Sequence, residues 1–226
     1  MTLDYCFYLH EELYLLALRD PRVTRAARRH AVYALAGAVI AELLVARRIT
    51  IEDGRARLIN VLNLDPTGDS VLDTYLRRIA AARRRAGIGA WLKRWTKERR
   101  LPHAIAQQLC KRGVLVHARQ RVMGLVSRDI YGQAEPEAQQ YVLDKVYHAI
   151  FAEETPQDPR TIMLLSLADA AGMLKAVFRT ATLKPRRPHI RRVIRGDVVA
   201  AAARQAIRTT LIIQAAIASL LAARVA

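Results

Sequence analysis

The sequence predicts a mainly α-helical, single globular domain that carries two small β-hairpins. Three observations lead there. The chain is 52% hydrophobic but only 6% aromatic, with alanine and leucine dominant, a mixture that favours helix over sheet. Apolar residues recur at helical spacing along most of the chain, and only two stretches switch to short β-rich runs around a polar turn. No internal repeat or low-complexity linker divides the 226 residues, which fit one ordinary domain able to bury a core without staples.

The elements follow in order. Leu3, Phe7, Leu13 and Leu16 place a first helix over 3–19, stopped by Pro21. A polar, arginine-rich turn precedes the clearest helix, 30–46, whose Val32, Leu35, Val39 and Leu43 share a face. Gly37 in its middle costs about 1 kcal/mol against alanine, which points to close packing by another element. Residues 48–62 read as a hairpin around Asp53-Gly54. Asp65 to Asp69 forms a turn into a helix at 70–86, capped by Asp69 or Ser70. A short helix holds Trp91 and Trp95, and another runs 102–112 to Gly113. Val114 to Val126 reads as a second hairpin with a polar tip at His117–Arg121. Helices are expected at 136–151, 159–179 and 197–223, the last two separated by a basic, proline-containing loop or irregular crossing at 180–196.

Charge is the strongest bulk signal. The net charge is +17, and arginines outnumber lysines 31 to 6. From Thr74 to Arg128 fifteen basic residues face one acid, Glu98, and from Lys175 onward eleven face Asp197, so the rest of the chain is net acidic. Segregation of this kind points to an anionic partner, nucleic acid or an acidic membrane surface, against the plainer reading of a solvated face. Cys6 and Cys110 lie far apart and outside any CxxC or Cys/His cluster; they read as free thiols in a reducing compartment, with a disulfide as the less favoured alternative. No secretory signal is expected, because acids occupy the first twenty residues. The apolar run Thr209–Ala223 falls short of the roughly 20 residues that span a bilayer and reads as a core helix.

Catalytic motifs are missing. The six histidines form no HExxH, and there is no GxxxxGK[ST], GxGxxG or GxSxG. No catalytic residue, metal or cofactor is therefore expected. Asp65, Asp69 and Asp73 recur every four residues, but turn and cap duty explains them better than a cation site. Glu42, inside an apolar helix, reads as half of a buried ion pair. Trp91 and Trp95 share a helical face beside Lys93, Arg94 and Lys97. That arrangement suits a lipid-headgroup boundary, and the alternative is that the indoles are core. No helix-turn-helix, RNP-type strand or zinc finger is visible, so specific nucleic-acid binding is not expected.

The order of several segments, Glu12–Asp20, Ala34–Ile49, Pro66–Asp73, Lys111–Leu115, 142–146 and 164–170, resembles the Golgi phosphoprotein 3 family, in a compact, bacterial-type form. The resemblance implies a helical core surrounded by amphipathic helices and a projecting hairpin. It also implies peripheral binding to the cytoplasmic face of a membrane, recognition of phosphatidylinositol 4-phosphate, and capture of the cytosolic tails of membrane enzymes by a non-catalytic adaptor. The family's pocket tryptophan falls near Ala27, with Arg28 and Arg29 beside it, its in-helix arginine on Ala36, and its last arginine pair on Arg100 and His103. Only Arg100 matches outright, so the expectation is anionic-phospholipid binding of lower selectivity. The expected headgroup contacts are Arg28, Arg29, Arg99, Arg100 and His103. Arg119, Arg121, Val122 and Met123 on the hairpin at 114–126 would meet the membrane or a second copy of the chain. The competing reading is a protein scaffold that holds an acidic partner or a membrane enzyme's tail without reading lipid.

Overall fold

The computed structural model describes residues 5–18, 25–97, 100–122, 126–153, 158–195 and 201–223. Among these, eleven helices enclose the core and two antiparallel hairpins sit on it.

The centre is α2 (Arg25–Val45), against which α1 (Leu9–Leu18), α3 (Ser70–Ala80), α4 (Ile88–Lys97), α5 (Arg100–Lys111), α7 (Pro159–Ala170) and α11 (Ala201–Ala222) all pack. Residues 33–43 of α2 are all buried. A helix apolar on every side belongs in a core rather than on a surface. Ala34, Ala36, Ala38 and Ala41 keep its flanks thin, and Gly37 lets α11 approach closely, since a Cβ there would lie 2.9 Å from Ile213 and 3.0 Å from Ile217. The apolar run 209–223 is accordingly part of a helix whose Ile213 and Ile217 are buried, and no described helix is long and apolar enough to cross a membrane.

Polar residues pin α1 to its neighbours. Glu11 reaches back to the Tyr8 N–H at 3.0 Å, half of a capping box, and the Leu9 N–H donates to Glu42 at 2.7 Å. This capping starts the helix at Leu9 rather than near residue 3. Glu42 also meets Arg160 of α7, the ion pair its burial requires. Glu12 meets Lys145 of α6 (Pro136–Phe151) at 2.9 Å; burial nevertheless pushes its carboxyl up, and Lys145 offsets only part of that.

Several expected boundaries shift. The arginine-rich stretch before residue 30 is the first turn of α2; Pro21 lies outside the described residues. α3 stops at Ala80 instead of 86 because the following backbone is used by the first hairpin: the Ile59 N–H donates to Ala86 and the Ile88 N–H to Arg57. That hairpin, β1 (Ile49–Ile51) with β2 (Ile59–Val61), pairs Thr50 with Asn60. Asp69 caps α3 by accepting from the Leu72 N–H at 2.7 Å, and Asp73 takes the Thr67 N–H and hydroxyl, so these carboxylates serve the turn. The helix expected over 159–179 breaks at Gly172, left-handed at φ 69°, into α7 and α8 (Met173–Val177). Within the expected loop or irregular crossing at 180–196, most described residues are instead helical, as α9 (Thr180–Leu183) and α10 (Arg187–Arg195), with Ile190, Val193 and Ile194 buried.

Trp91 and Trp95 are core. Both are buried, with ring centroids 5.5 Å apart, and Tyr75 meets Trp95 edge-on at 4.7 Å. The cations of α4, Lys93, Arg94 and Lys97, are exposed, and Arg94 lies over the Trp91 ring at 4.5 Å. The headgroup-boundary reading of the indoles is thus corrected: the wide apolar face of α4 is spent on α2 and α11. Both cysteines are free.

Candidate functional site: the start of α5 and the second hairpin

β3 (Leu115–Val122) and β4 (Val126–Gln133) pair in register from Leu115 opposite Gln133 to Val122 opposite Val126. The polar stretch 117–121 is therefore strand and not a tip, contrary to what its polarity implied. Arg119 stands opposite Asp129 and Arg121 opposite Ser127. The side chains of Arg119, Arg121 and Val122 lie outside the described part of the structure, as does Met123 altogether.

The root of this hairpin packs on α5. Arg100 opens α5 and His103 lies one turn on; both are exposed, and a spacing of three puts them on neighbouring positions of one helical face. His103 Nδ1 lies 2.6 Å from the Tyr131 hydroxyl. Register then brings in a residue that the sequence did not single out for the site. His117 is directly opposite Tyr131, with rings 5.2 Å apart. Tyr14 of α1 lies near enough to feel Tyr131: burial first, and then Tyr131, pushes its phenol up. The site is a shallow, solvent-facing array of one guanidinium, two imidazoles and a phenol. It can donate hydrogen bonds to anionic oxygens.

The other expected contacts divide. Ala36 is fully buried inside α2, so a cation at that position is replaced by core packing. Arg28 and Arg29 belong to the first turns of α2, which packs on α5, but their side chains lie outside the described part. Arg99 also lies outside the described residues. Of the expected headgroup contacts, the structure therefore places Arg100 and His103 together. Among the described residues, no group of three or more His, Cys, Asp or Glu side chains converges as a metal site. Tyr131 and His117 carried no signal in the sequence, because nothing short of the strand register says that they meet.

A helical core built around an alanine-rich α2, the Pro66–Asp73 turn capping α3 and a hairpin rooted on α5 reproduce the order of segments read from the sequence, and the family model described as Golgi phosphoprotein 3 (GPP34) matches residues 9–210; the chain belongs to that family.

Proposed function

We propose that the chain is a non-catalytic peripheral membrane adaptor that binds anionic phospholipid headgroups with little selectivity among them. The observation that carries this is the pairing of Arg100 and His103 on one exposed face of α5, beside the hairpin, in a chain of net charge +17. Arg28, Arg29, Arg99, Arg119 and Arg121 are assigned to the same basic surface in this reading, with Val122 and Met123 as its apolar membrane contacts. Phosphatidylinositol 4-phosphate is bound as one anionic lipid among others, because the buried Ala36 removes a guanidinium from the headgroup pocket. Once docked at the cytoplasmic face, the protein holds the cytosolic tails of membrane enzymes, and the hairpin at 114–126 is also the surface through which a second copy would bind.

Flotation with liposomes tests this. Neutral vesicles are compared with vesicles carrying phosphatidylglycerol, cardiolipin or phosphatidylinositol 4-phosphate. The expected result is flotation with all three anionic compositions and none with neutral lipid. Each basic residue near an anionic leaflet contributes about 1 kcal/mol, so Arg100→Ala should weaken binding roughly fivefold and Arg100→Ala/His103→Ala should weaken it further. Flotation with phosphatidylinositol 4-phosphate alone would overturn the low selectivity. No flotation at all would overturn the lipid reading and leave the scaffold that captures an acidic partner directly.

A further inference from the structure

A separate feature lies where the first hairpin, α4 and α11 meet. An open cleft of about 490 Å³ is lined by Arg55 and Arg57 on the hairpin turn and by Ile212, Ala215 and Ala216 of α11, with Gly89 at the start of α4. None of these residues belongs to the α5–hairpin array. The volume is within the range of small-ligand sites, about 300–1,000 Å³.

The two sides differ in chemistry. The α11 residues that line the cleft, Ile212, Ala215 and Ala216, are all apolar, while Ile213 and Ile217 turn inward to α2. Positive charge comes from the arginines and not from the helix end. The Ile88 N–H is bonded to the Arg57 carbonyl at 3.2 Å, and the Ala90 and Trp91 N–H groups to the Gly87 carbonyl at 3.1 Å. Arg55 is exposed and makes no salt bridge among the described residues. Among the described residues Arg57 pairs only with Asp53, at 3.4 Å, and that carboxylate is fully exposed.

Arg57 is held in a left-handed conformation, φ 47°, which disfavours any residue with a Cβ and which glycine adopts freely. Its backbone is fixed from both sides, by the Gly54 carbonyl accepting its N–H at 3.2 Å and by Ile88 donating to its carbonyl. At the adjoining Gly87 an added Cβ would stand 2.0 Å from the Ala56 carbonyl oxygen, so hairpin and α4 touch backbone to backbone. The fold needs a left-handed residue here and would be served by glycine. An arginine in its place puts a cationic residue in the cleft lining against the local preference, and strain of that kind collects at binding sites.

We propose that this cleft binds a single-chain amphiphile with an anionic head, the head on Arg55 and Arg57 and the chain along Ile212, Ala215 and Ala216. A fatty-acid carboxylate and an alkyl phosphate share the needed chemistry, because guanidinium donors match either group through paired hydrogen bonds.

Isothermal titration with dodecyl phosphate and with laurate, both below their micelle concentrations, tests the proposal and tells the two heads apart by affinity. Inorganic phosphate and dodecyl maltoside serve as the head without a chain and the chain without a charge. At least one anionic amphiphile should bind, with both controls at least tenfold weaker. Arg57→Gly should keep or raise the melting temperature yet lose at least tenfold in affinity, and flotation with anionic vesicles should persist in that variant. Arg55→Ala should weaken binding, and Ala215→Trp, which fills the cleft, should abolish it. Equal binding of either control, wild-type affinity in Arg57→Gly and Ala215→Trp, or no binding by either amphiphile would overturn the proposal.

Discussion

His10 and Asp69 show what single residues do in this core. Both are buried, and His10 Nε2 lies 3.4 Å from Asp69 Oδ2, within ion-pair range but long for a hydrogen bond. Tyr8 stacks on the imidazole at 5.7 Å, while the Gln108 amide bridges Asp69 and Glu11, and Arg112 pairs with Glu11. Burial pushes the Asp69 carboxyl up, but His10, the Leu72 N–H and Gln108 outweigh it, and its folded pKa lies below the ordinary carboxylate value. The linkage follows from that direction. A depressed folded pKa gives stability that is present above the unfolded value, about 3.9, and lost as pH falls through the folded one. Asp69→Asn keeps a capping oxygen but removes the titration. It should cost about 1–2 kcal/mol at pH 7 and flatten the fall in stability below pH 4, as read from urea midpoints between pH 7 and 2. The flattening should be partial, because Asp158 is also depressed: burial raises its carboxyl, and the Thr161 hydroxyl, the backbone amides of Arg160 and Thr161, and Lys145 more than reverse it. An acid limb unchanged in the variant would remove Asp69 from this role.

At the scale of elements, the crossing of α2 and α11 is set by Gly37. Leu167 of α7 closes the same space, 3.2 Å from where a Cβ would be. Alanine there gains about 1 kcal/mol of helix propensity and loses it again to the Ile213 methyl. Gly37→Val, with two further carbons, should destabilise by about 2–3 kcal/mol through overpacking. Adding Ile213→Ala should recover part of that loss, a coupling that denaturation of the single and double variants would measure; strict additivity would mean that the two helices do not meet there. This contact was legible in the sequence, since glycine inside a strongly apolar helix gives up propensity that the close approach of a neighbour offsets. α10 was not. Pro185, Pro188 and six basic residues between 184 and 195 read as loop, although Ile190, Val193 and Ile194 already had helical spacing and Pro188 sits in the first turn, where its missing N–H does no harm. The hairpin's turn was misplaced for a related reason. His117 and Ala118 are exposed, so alternation there does not report burial, and the pairing of Tyr131 with His117 follows from register alone. Arg100 and His103 were legible as a pair because helical spacing brings them together without help from any other element.

The whole molecule carries its charge in two basic regions that are built differently, and that difference separates local docking from a general field. α5 packs on α1, α2, α3 and β3, whereas α10 packs on α6, α7 and α11. On α10 the apolar side is consumed by the protein's own core, Arg187 is tied to Asp169, and Arg191, Arg192 and Arg195 point to solvent. Such a helix cannot insert into a bilayer; it can only add to the field that attracts one. Fields reach about 30 Å at 0.01 M salt but about 8 Å at physiological ionic strength, so a group acting at a distance should matter only in dilute salt. Replacing Arg191, Arg192 and Arg195 with alanine should therefore weaken binding to phosphatidylglycerol vesicles at 0.01 M salt and leave it near wild type at 0.15 M. Replacing Arg100, placed at the lipid in the proposed function, should weaken binding at both. The measurement is flotation of the two variants across that salt range. If the triple variant loses binding equally at both ends, α10 itself faces the lipid, and the docking surface must be moved from the α5–hairpin face to that helix.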